Sequence, residues 1–175
     1  MRTLLIRHPK PDIDTGICYG RSDLGLAENA VERANALRAL LPAGAAFYSS
    51  PLRRCLELAR ALHDAPMIDA RLVEMDFGDW EMRRWDDIPR AEIDAWAADP
   101  VGYSPPGGES PLAMRARVAT LLRELPGTAV LVAHGGVLRA CAAELAGVAN
   151  WHELHFEFGS ASLIEDGRLV WTNRI

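Results

Sequence analysis

Residues Ala129 to Ala133 read AVLVA, an uncharged and partly β-branched run set between Pro126-Gly127 and Gly135-Gly136. A run this short and this apolar fits a strand buried on both faces, as in the middle of a parallel sheet. Thr3 to Arg7 is a second such run, halted by Pro9 and Pro11. A sheet buried on both faces needs helices on both sides, and the rest of the chain offers them.

From Ala27 to Leu41 the period is helical, with Ala30, Ala34, Leu37 and Leu41 on one face; Pro42 and Gly44 stop it. Ala45 to Tyr48 reads as a strand. Ser50 then has the chemistry of an N-cap with Pro51 at the first helical position, and Leu52, Cys55, Leu56, Ala59 and Leu62 give the following helix its apolar face. Pro66 to Ile68 is a third short strand. Leu72 to Trp85 has no clean period and reads as a structured loop. A helix is expected from Ile88 to Ala98 with Ile93, Trp96 and Ala97 inward. After the Pro- and Gly-rich loop Asp99 to Gly108, Ser110 and Pro111 restart a helix lined by Met114, Val118, Leu121, Leu122 and Leu125. Another helix is expected from Val137 to Ala146. Trp151 to Phe158 alternates, and Asp166-Gly167 between Ala161–Ile164 and Leu169–Thr172 is a hairpin signal. Strands and helices in alternation predict a three-layer α/β/α sandwich with a mainly parallel central sheet, one domain spanning residues 1–175.

Composition narrows the partners. The 175 residues are 49% apolar and 25% charged with a formal net charge of −5. That balance argues against a broad nucleic-acid-binding face and leaves room for a small basic pocket. Cys18, Cys55 and Cys141 form neither a disulfide framework nor a metal-ligand spacing. The run Leu4 to Ile6 is too short for a signal-peptide core or a membrane span. The expectation is a cytoplasmic protein with no membrane partner, no metal and no cofactor, in which a small basic pocket could hold one phosphate.

The phosphate expectation rests on placement. His8 and His134 each follow a predicted strand directly, and in open α/β sheets ligands bind beyond the carboxyl ends of strands. Arg7, beside the apolar run, needs an anionic partner. Arg53 sits in the first helical turn, where a bound anion would explain a cation. One of Arg53 and Arg54 faces solvent, and the apolar face points to Arg54 for that role. Two arginines and two histidines around one point suit a phosphoryl dianion. A histidine with a free ring nitrogen can attack phosphorus. An acid for the leaving oxygen is available in Glu74, Asp76 or Glu81. Trp80, Trp85, Trp96 and Tyr103 are candidates for a pocket wall and equally for core.

Five segments in order carry a resemblance. Leu5-Ile6-Arg7-His8, Tyr48-Ser49-Ser50-Pro51-Leu52-Arg53-Arg54, Leu72 to Glu81, Pro106-Gly107-Gly108-Glu109-Ser110 and Val132-Ala133-His134-Gly135-Gly136 together resemble the signatures of the histidine phosphatase superfamily, which includes the cofactor-dependent phosphoglycerate mutases. The resemblance implies a phosphoglycerate mutase-like fold. It implies that His8 becomes phosphorylated, that Arg7, Arg53 and His134 hold the phosphoryl group, and that Glu74 is the acid and base. Ser50 and Gly135 are added as phosphate contacts. Cys18 to Leu24 is similar to the alpha-ribazole phosphatases of cobalamin assembly, which implies Arg21 as a substrate contact and alpha-ribazole 5'-phosphate as substrate. The alternatives are a phosphatase of sugar phosphates or other small metabolites, a mutase, and a phosphate-binding protein without catalysis. Pro9 and Met82 stand where glycine is usual, and Pro11 where Thr or Ser is common. Pro9 also removes an N–H next to the nucleophile.

Overall fold

The computed structural model describes residues 1–175. Strand β1 (Arg2–Arg7) is followed by helix α1 (Ala30–Leu37), β2 (Ala46–Ser49), α2 (Arg53–Leu62) and β3 (Met67–Ile68). Then come α3 (Arg90–Ala98), α4 (Pro111–Leu122), β4 (Thr128–Ala133), α5 (Gly135–Ala146), β5 (Ala161–Glu165) and β6 (Arg168–Arg174). One six-stranded sheet runs in the order β3-β2-β4-β1-β5-β6. The pairs β3–β2, β2–β4 and β4–β1 are parallel; β5 is antiparallel to both β1 and β6. The mainly parallel sheet of the sequence reading is therefore present, closed at one edge by the Asp166-Gly167 hairpin. Both turn residues have positive φ, 47° and 74°, as a type I′ turn requires.

Alternation along the two central strands builds the layers. Leu5, Leu131 and Ala133 face one way and pack with Met114, Val118, Val137 and Leu138 of α4 and α5. Leu4, Ile6, Val130 and Val132 face the other way and pack with Ala34 and Leu37 of α1 and Leu58 and Leu62 of α2. Each of these strand residues is at most 1% exposed, and full burial of one such side chain stabilises by roughly 1.5–3 kcal/mol. A third, smaller cluster stands apart: Cys18, Trp80 and Ile88, with Phe77, Trp85, Ile93, Trp96 and Tyr103 against them.

Several local expectations need correction. Ser50 does not cap α2. The helix starts at Arg53 with Leu52 at the cap position, and the Ser50 hydroxyl accepts instead from the Leu52 N–H. The buried face of α2 is Arg54, Cys55, Leu58, Ala59 and Leu62; Arg54 and Leu58 take the inward places read for Leu52 and Leu56. Ala97 is exposed, and α3 buries no residue fully. Trp151 to Phe158 forms no strand; a 3-10 turn covers Trp151–Glu153. By contrast, Ser110 does cap α4, accepting from Ala113 N–H at 3.1 Å with Pro111 in the first turn. Met82 keeps the left-handed conformation (φ 62°) in its turn, a conformation glycine takes at lower cost.

Candidate active site

The register of the central strands assembles the site. Arg7 of β1 lies opposite Ala133 of β4, so the next residues, His8 and His134, leave the sheet side by side. Their rings are 5.1 Å apart between centroids, edge to face. The His8 N–H donates to the Ala133 carbonyl at 3.1 Å, and the Ser50 N–H donates to the Val132 carbonyl at 3.0 Å. The ends of three parallel strands thus meet at one point.

His8 is 1% exposed. Its Nδ1 lies 2.6 Å from the Pro9 carbonyl oxygen. A carbonyl only accepts, so Nδ1 carries the proton and Nε2 keeps a free lone pair. Pro9 has no N–H to give, and its carbonyl fixes the tautomer instead. Burial holds the His8 pKa well below the ordinary histidine value, with the Arg54 and Arg7 charges pushing the same way.

His134 is fully buried. Its pKa is also held well below the ordinary value, first by burial, then by His8, Arg54 and Arg7. Arg54 Nε donates to His134 Nδ1 at 3.2 Å, which leaves Nε2 to carry the proton; Nε2 lies 2.8 Å from the Ser50 hydroxyl. The Cys55 thiol packs against the same ring, 3.4 Å from Nε2. Burial pushes that thiol's pKa up, so it stays protonated.

The arginine at this point is Arg54. It is 0% exposed, and its remaining nitrogens donate to the Ser22 and Gly20 carbonyls at 2.7 and 2.6 Å. Arg53 is not brought to the site. Its side chain is 63% exposed and lies 3.8 Å from Glu57. The physical reason is helix phase: Arg54, Leu58 and Leu62 are spaced four apart and share the inward row. That spacing is a signal the sequence contained.

Arg7 donates to the Phe156 carbonyl at 2.5 Å, and its guanidinium stacks 3.6 Å over the Phe158 ring centroid. Its Nε is buried without a partner. Burial lowers the Arg7 pKa, and the nearby Glu74 charge opposes that shift.

Glu74 lines the same cavity as His8, Arg7 and Arg54. Its carboxylate accepts from the Met75 N–H at 3.0 Å and from the Gly136 N–H, in the first turn of α5, at 2.9 Å. A Cβ at position 136 would come within 2.4 Å of a Glu74 oxygen, so a larger residue there would displace the carboxylate. The two other acid candidates are engaged elsewhere. Asp76 pairs with Arg21 at 3.1 Å and accepts from the Gly78 N–H. Glu81 accepts from the N–H groups of Gly20, Arg21, Ser22 and Phe77 and from the Ser22 hydroxyl. Glu81 thereby clamps the loop whose carbonyls hold Arg54.

Of the further contacts named from the sequence, Gly135 lines the cavity. Ser50 is buried behind His134 and does not line it. Arg21 does not line it either; its side chain is 58% exposed in the pair with Asp76. Among the aromatic candidates Trp96 lines the cavity, whereas Trp80 is fully buried and donates to Glu92 at 2.5 Å. Sequence reasoning missed Arg54, Tyr19 and Arg139, which also line it. The cavity measures about 270 Å³, the small end of the range for metabolite sites. No three His, Cys, Asp or Glu side chains are grouped to hold a metal ion, and no helix is long and apolar enough to cross a membrane.

Similarities to known proteins agree with this geometry. The histidine phosphatase superfamily (branch 1) matches residues 3–170. A glucosyl-3-phosphoglycerate phosphatase of Mycolicibacterium vanbaalenii is 34% identical, covering 94% of this chain and 83% of its own. The adenosylcobalamin/alpha-ribazole phosphatase of Escherichia coli K12 is 33% identical, covering 87% and 84%. The crystal structure of a mycobacterial glucosyl-3-phosphoglycerate phosphatase in complex with VO3 superposes with a TM-score of 0.85 at 32% identity, covering 99% of both chains. The chain belongs to branch 1 of the histidine phosphatase superfamily and is a phosphatase-type enzyme.

Proposed function

We propose that the protein hydrolyses a small phosphorylated metabolite in two steps through a phosphohistidine on His8. The observation that carries this reading is the bond from His8 Nδ1 to the Pro9 carbonyl, which leaves Nε2 as a nucleophile. In the first step the Nε2 lone pair forms a P–N bond as the ester P–O bond breaks, and Glu74 gives its proton to the departing alkoxide. In the second step the Glu74 carboxylate takes a proton from water, whose oxygen attacks phosphorus. The P–N bond breaks, and inorganic phosphate leaves. Arg7 and Arg54 stabilise the equatorial oxygens as the group flattens. His134, first read as a direct contact, has its ring nitrogens on Arg54 and Ser50 and positions Arg54 beside His8. Arg54 takes the part first read for Arg53. Gly135 contributes an N–H at the α5 N-terminus, where an anion is favoured. The reading uses no metal or cofactor.

The substrate reading is a small phosphate ester of the sugar-phosphate or phospho-acid kind. Alpha-ribazole 5'-phosphate is no longer singled out, because the relatives named for it and for glucosyl-3-phosphoglycerate stand at nearly the same identity, 33% and 34%. The three cysteines are free and buried, which supports a reducing, cytoplasmic setting for residues 1–175 acting as one domain. The test is phosphate release from an aryl phosphate and a panel of sugar phosphates, phospho-acids and alpha-ribazole 5'-phosphate, with chelator present. Turnover across the small esters is expected; retention of ligand without release contradicts the reading.

A further inference from the structure

We infer that Asn173, near the end of β6 and outside the cavity lining, is a positioning residue that sets Arg7 and His8 through the segment His155 to Ser160. The inference rests on the phosphatase reading, in which Arg7 holds the phosphoryl group. The segment itself touches the site. The Phe156 carbonyl accepts from Arg7 at 2.5 Å, which is the only hydrogen bond of that guanidinium; its Nε has no partner. The guanidinium stacks 3.6 Å from the Phe158 ring centroid, and the same ring lies 5.5 Å from that of His8. On the backbone, the Arg7 N–H donates to the Ser160 carbonyl and the Gly159 N–H to the His8 carbonyl, both at 3.0 Å. Where Arg7 stands therefore depends on where this segment is held.

No helix or strand fixes the segment. Phe156 anchors its start in the α4–α5 core. Asn173 holds the remainder. Its Nδ2 donates to the His155 carbonyl at 3.0 Å, and its Oδ1 accepts from the Glu157 N–H at 2.8 Å. These partners fix the orientation of the amide, since a carbonyl only accepts and a backbone N–H only donates. The Ser160 hydroxyl has one proton to share between Asn173 Oδ1 at 3.1 Å and the Glu157 carbonyl at 2.8 Å. One side chain thus ties both neighbours of Phe156 and the residue that closes the turn after Phe158.

The backbone at Asn173 carries a cost that this role explains. Its φ is 56°, a left-handed conformation that is rare within a strand and that Asn tolerates better than most residues. The β5–β6 register shifts between Ala161 and Leu163, opposite Arg174 and Trp171. The Asn173 N–H there donates to the Ser162 hydroxyl at 3.1 Å. Irregularities of this kind re-aim a side chain beside an active site. Here the amide is delivered to the segment under Arg7, and strain of this sort persists where the surrounding structure makes use of it.

The test is a double-mutant cycle between N173G and R7A. Glycine keeps the left-handed backbone without strain and removes only the side chain. N173G should lower kcat for an aryl phosphate about tenfold to a hundredfold, the scale of a small misplacement of reacting groups, with KM changed less than about threefold. In the R7A background the same substitution should cost less than about threefold, because the residue it positions is gone. N173D keeps the Oδ1 acceptor but sets an oxygen against the His155 carbonyl. It should lose activity in the same direction, and it replaces N173G in the cycle if the glycine variant does not fold. A merely structural role would lower the melting temperature while leaving kcat of the folded protein unchanged, or would give losses that add in the cycle; either result overturns the inference. Calorimetry with vanadate runs the same cycle without turnover. A loss of vanadate affinity in N173G that disappears in R7A upholds the positioning role even if the wild type releases no phosphate, and then the phosphatase reading alone fails. Wild-type turnover matched by N173G sinks the inference and leaves the phosphatase reading standing.

Discussion

At the phosphoryl end of the cavity, His8, His134 and Arg54 are each at most 1% exposed, and the nitrogens of Arg54 are tied to His134 and to two backbone carbonyls. At the other end stand Trp96, Pro100, Arg139 and His152, none of them fully buried, on or near α3, on α5 and in the segment after it. The inner end grows from strand register and from cores packed on both sheet faces. The outer end rests on the small aromatic cluster around Trp80 and on a helix with no buried residue. On the proposed function the difference teaches a division of labour: the buried end would determine which bond is broken, and the more exposed end whose bond it is. Substitutions at the inner end should act on kcat, and those at the outer end on KM.

The sharpest break of this comparison is at Glu74. E74Q should reduce turnover of an alkyl phosphate by about 10² to 10⁴, the range for loss of general acid catalysis. It should reduce phosphohistidine formation from a nitrophenyl phosphate far less, because that leaving group departs without a proton. Single-turnover kinetics of E74Q, D76N and E81Q separate the roles. A loss in E81Q equal for both substrate types would reflect the clamp on the Gly20–Ser22 loop rather than proton transfer.

Next in size is the arginine pair. R54A should lower kcat by roughly 10² or more, the scale for removing a donor to developing charge, and it also leaves the Gly20 and Ser22 carbonyls without their donor. R53A should stay within about threefold of wild type, since it breaks only an exposed pair with Glu57. Equal losses would erase the distinction between the two neighbours.

These neighbours also show how far the sequence could be read. The strand ends and both histidines were legible because β4 and β1 are buried on both faces, and an uncharged run followed by a polar residue has few other uses. The cavity carboxylate was legible by resemblance, since Glu74 alone of the three candidates lines the cavity. The arginine was not. The resemblance pointed to Arg53, and reading Leu52 and Leu56 as inward left Arg54 outside, whereas Arg54 and Leu58 are buried. Ser50 has the local chemistry of a cap, but tertiary context placed His134 against its hydroxyl. Trp151 to Phe158 alternates like a strand, yet Phe156 serves the α4–α5 core and Phe158 the Arg7 guanidinium. Arg139 carried no signal of its own, because an arginine on a helix is ordinary until its partners are known.

Burial of both histidines predicts a pH dependence of stability. In the unfolded chain they titrate near 6.5. In the fold their pKa values lie well below that. Above about pH 6.5 they are neutral in both states and contribute nothing. As pH falls below 6.5, the unfolded chain binds protons that the fold refuses, and stability drops by up to about 1.4 kcal/mol per pH unit for each histidine. Urea denaturation between pH 7.5 and 5.5 should show this slope, and H134N should flatten it. A wild-type profile flat over that window contradicts the buried, neutral pair. The smallest effect belongs to Met82, in the turn after Trp80. M82G should relieve the left-handed strain and raise stability by about 0.5–1 kcal/mol, leaving kcat within experimental error; a destabilised M82G would mean that the exposed Met side chain packs in a way its 52% exposure does not suggest.

The central claim is that His8, held by Pro9, carries the phosphoryl group. Rapid quenching of wild-type protein with a labelled aryl phosphate, followed by peptide mass spectrometry under basic conditions, reads it directly. The account predicts an acid-sensitive phosphoryl group on the peptide containing His8, formed and lost on the timescale of turnover and absent in H8A. A phosphoryl group on His134, or turnover retained in H8A, would contradict it.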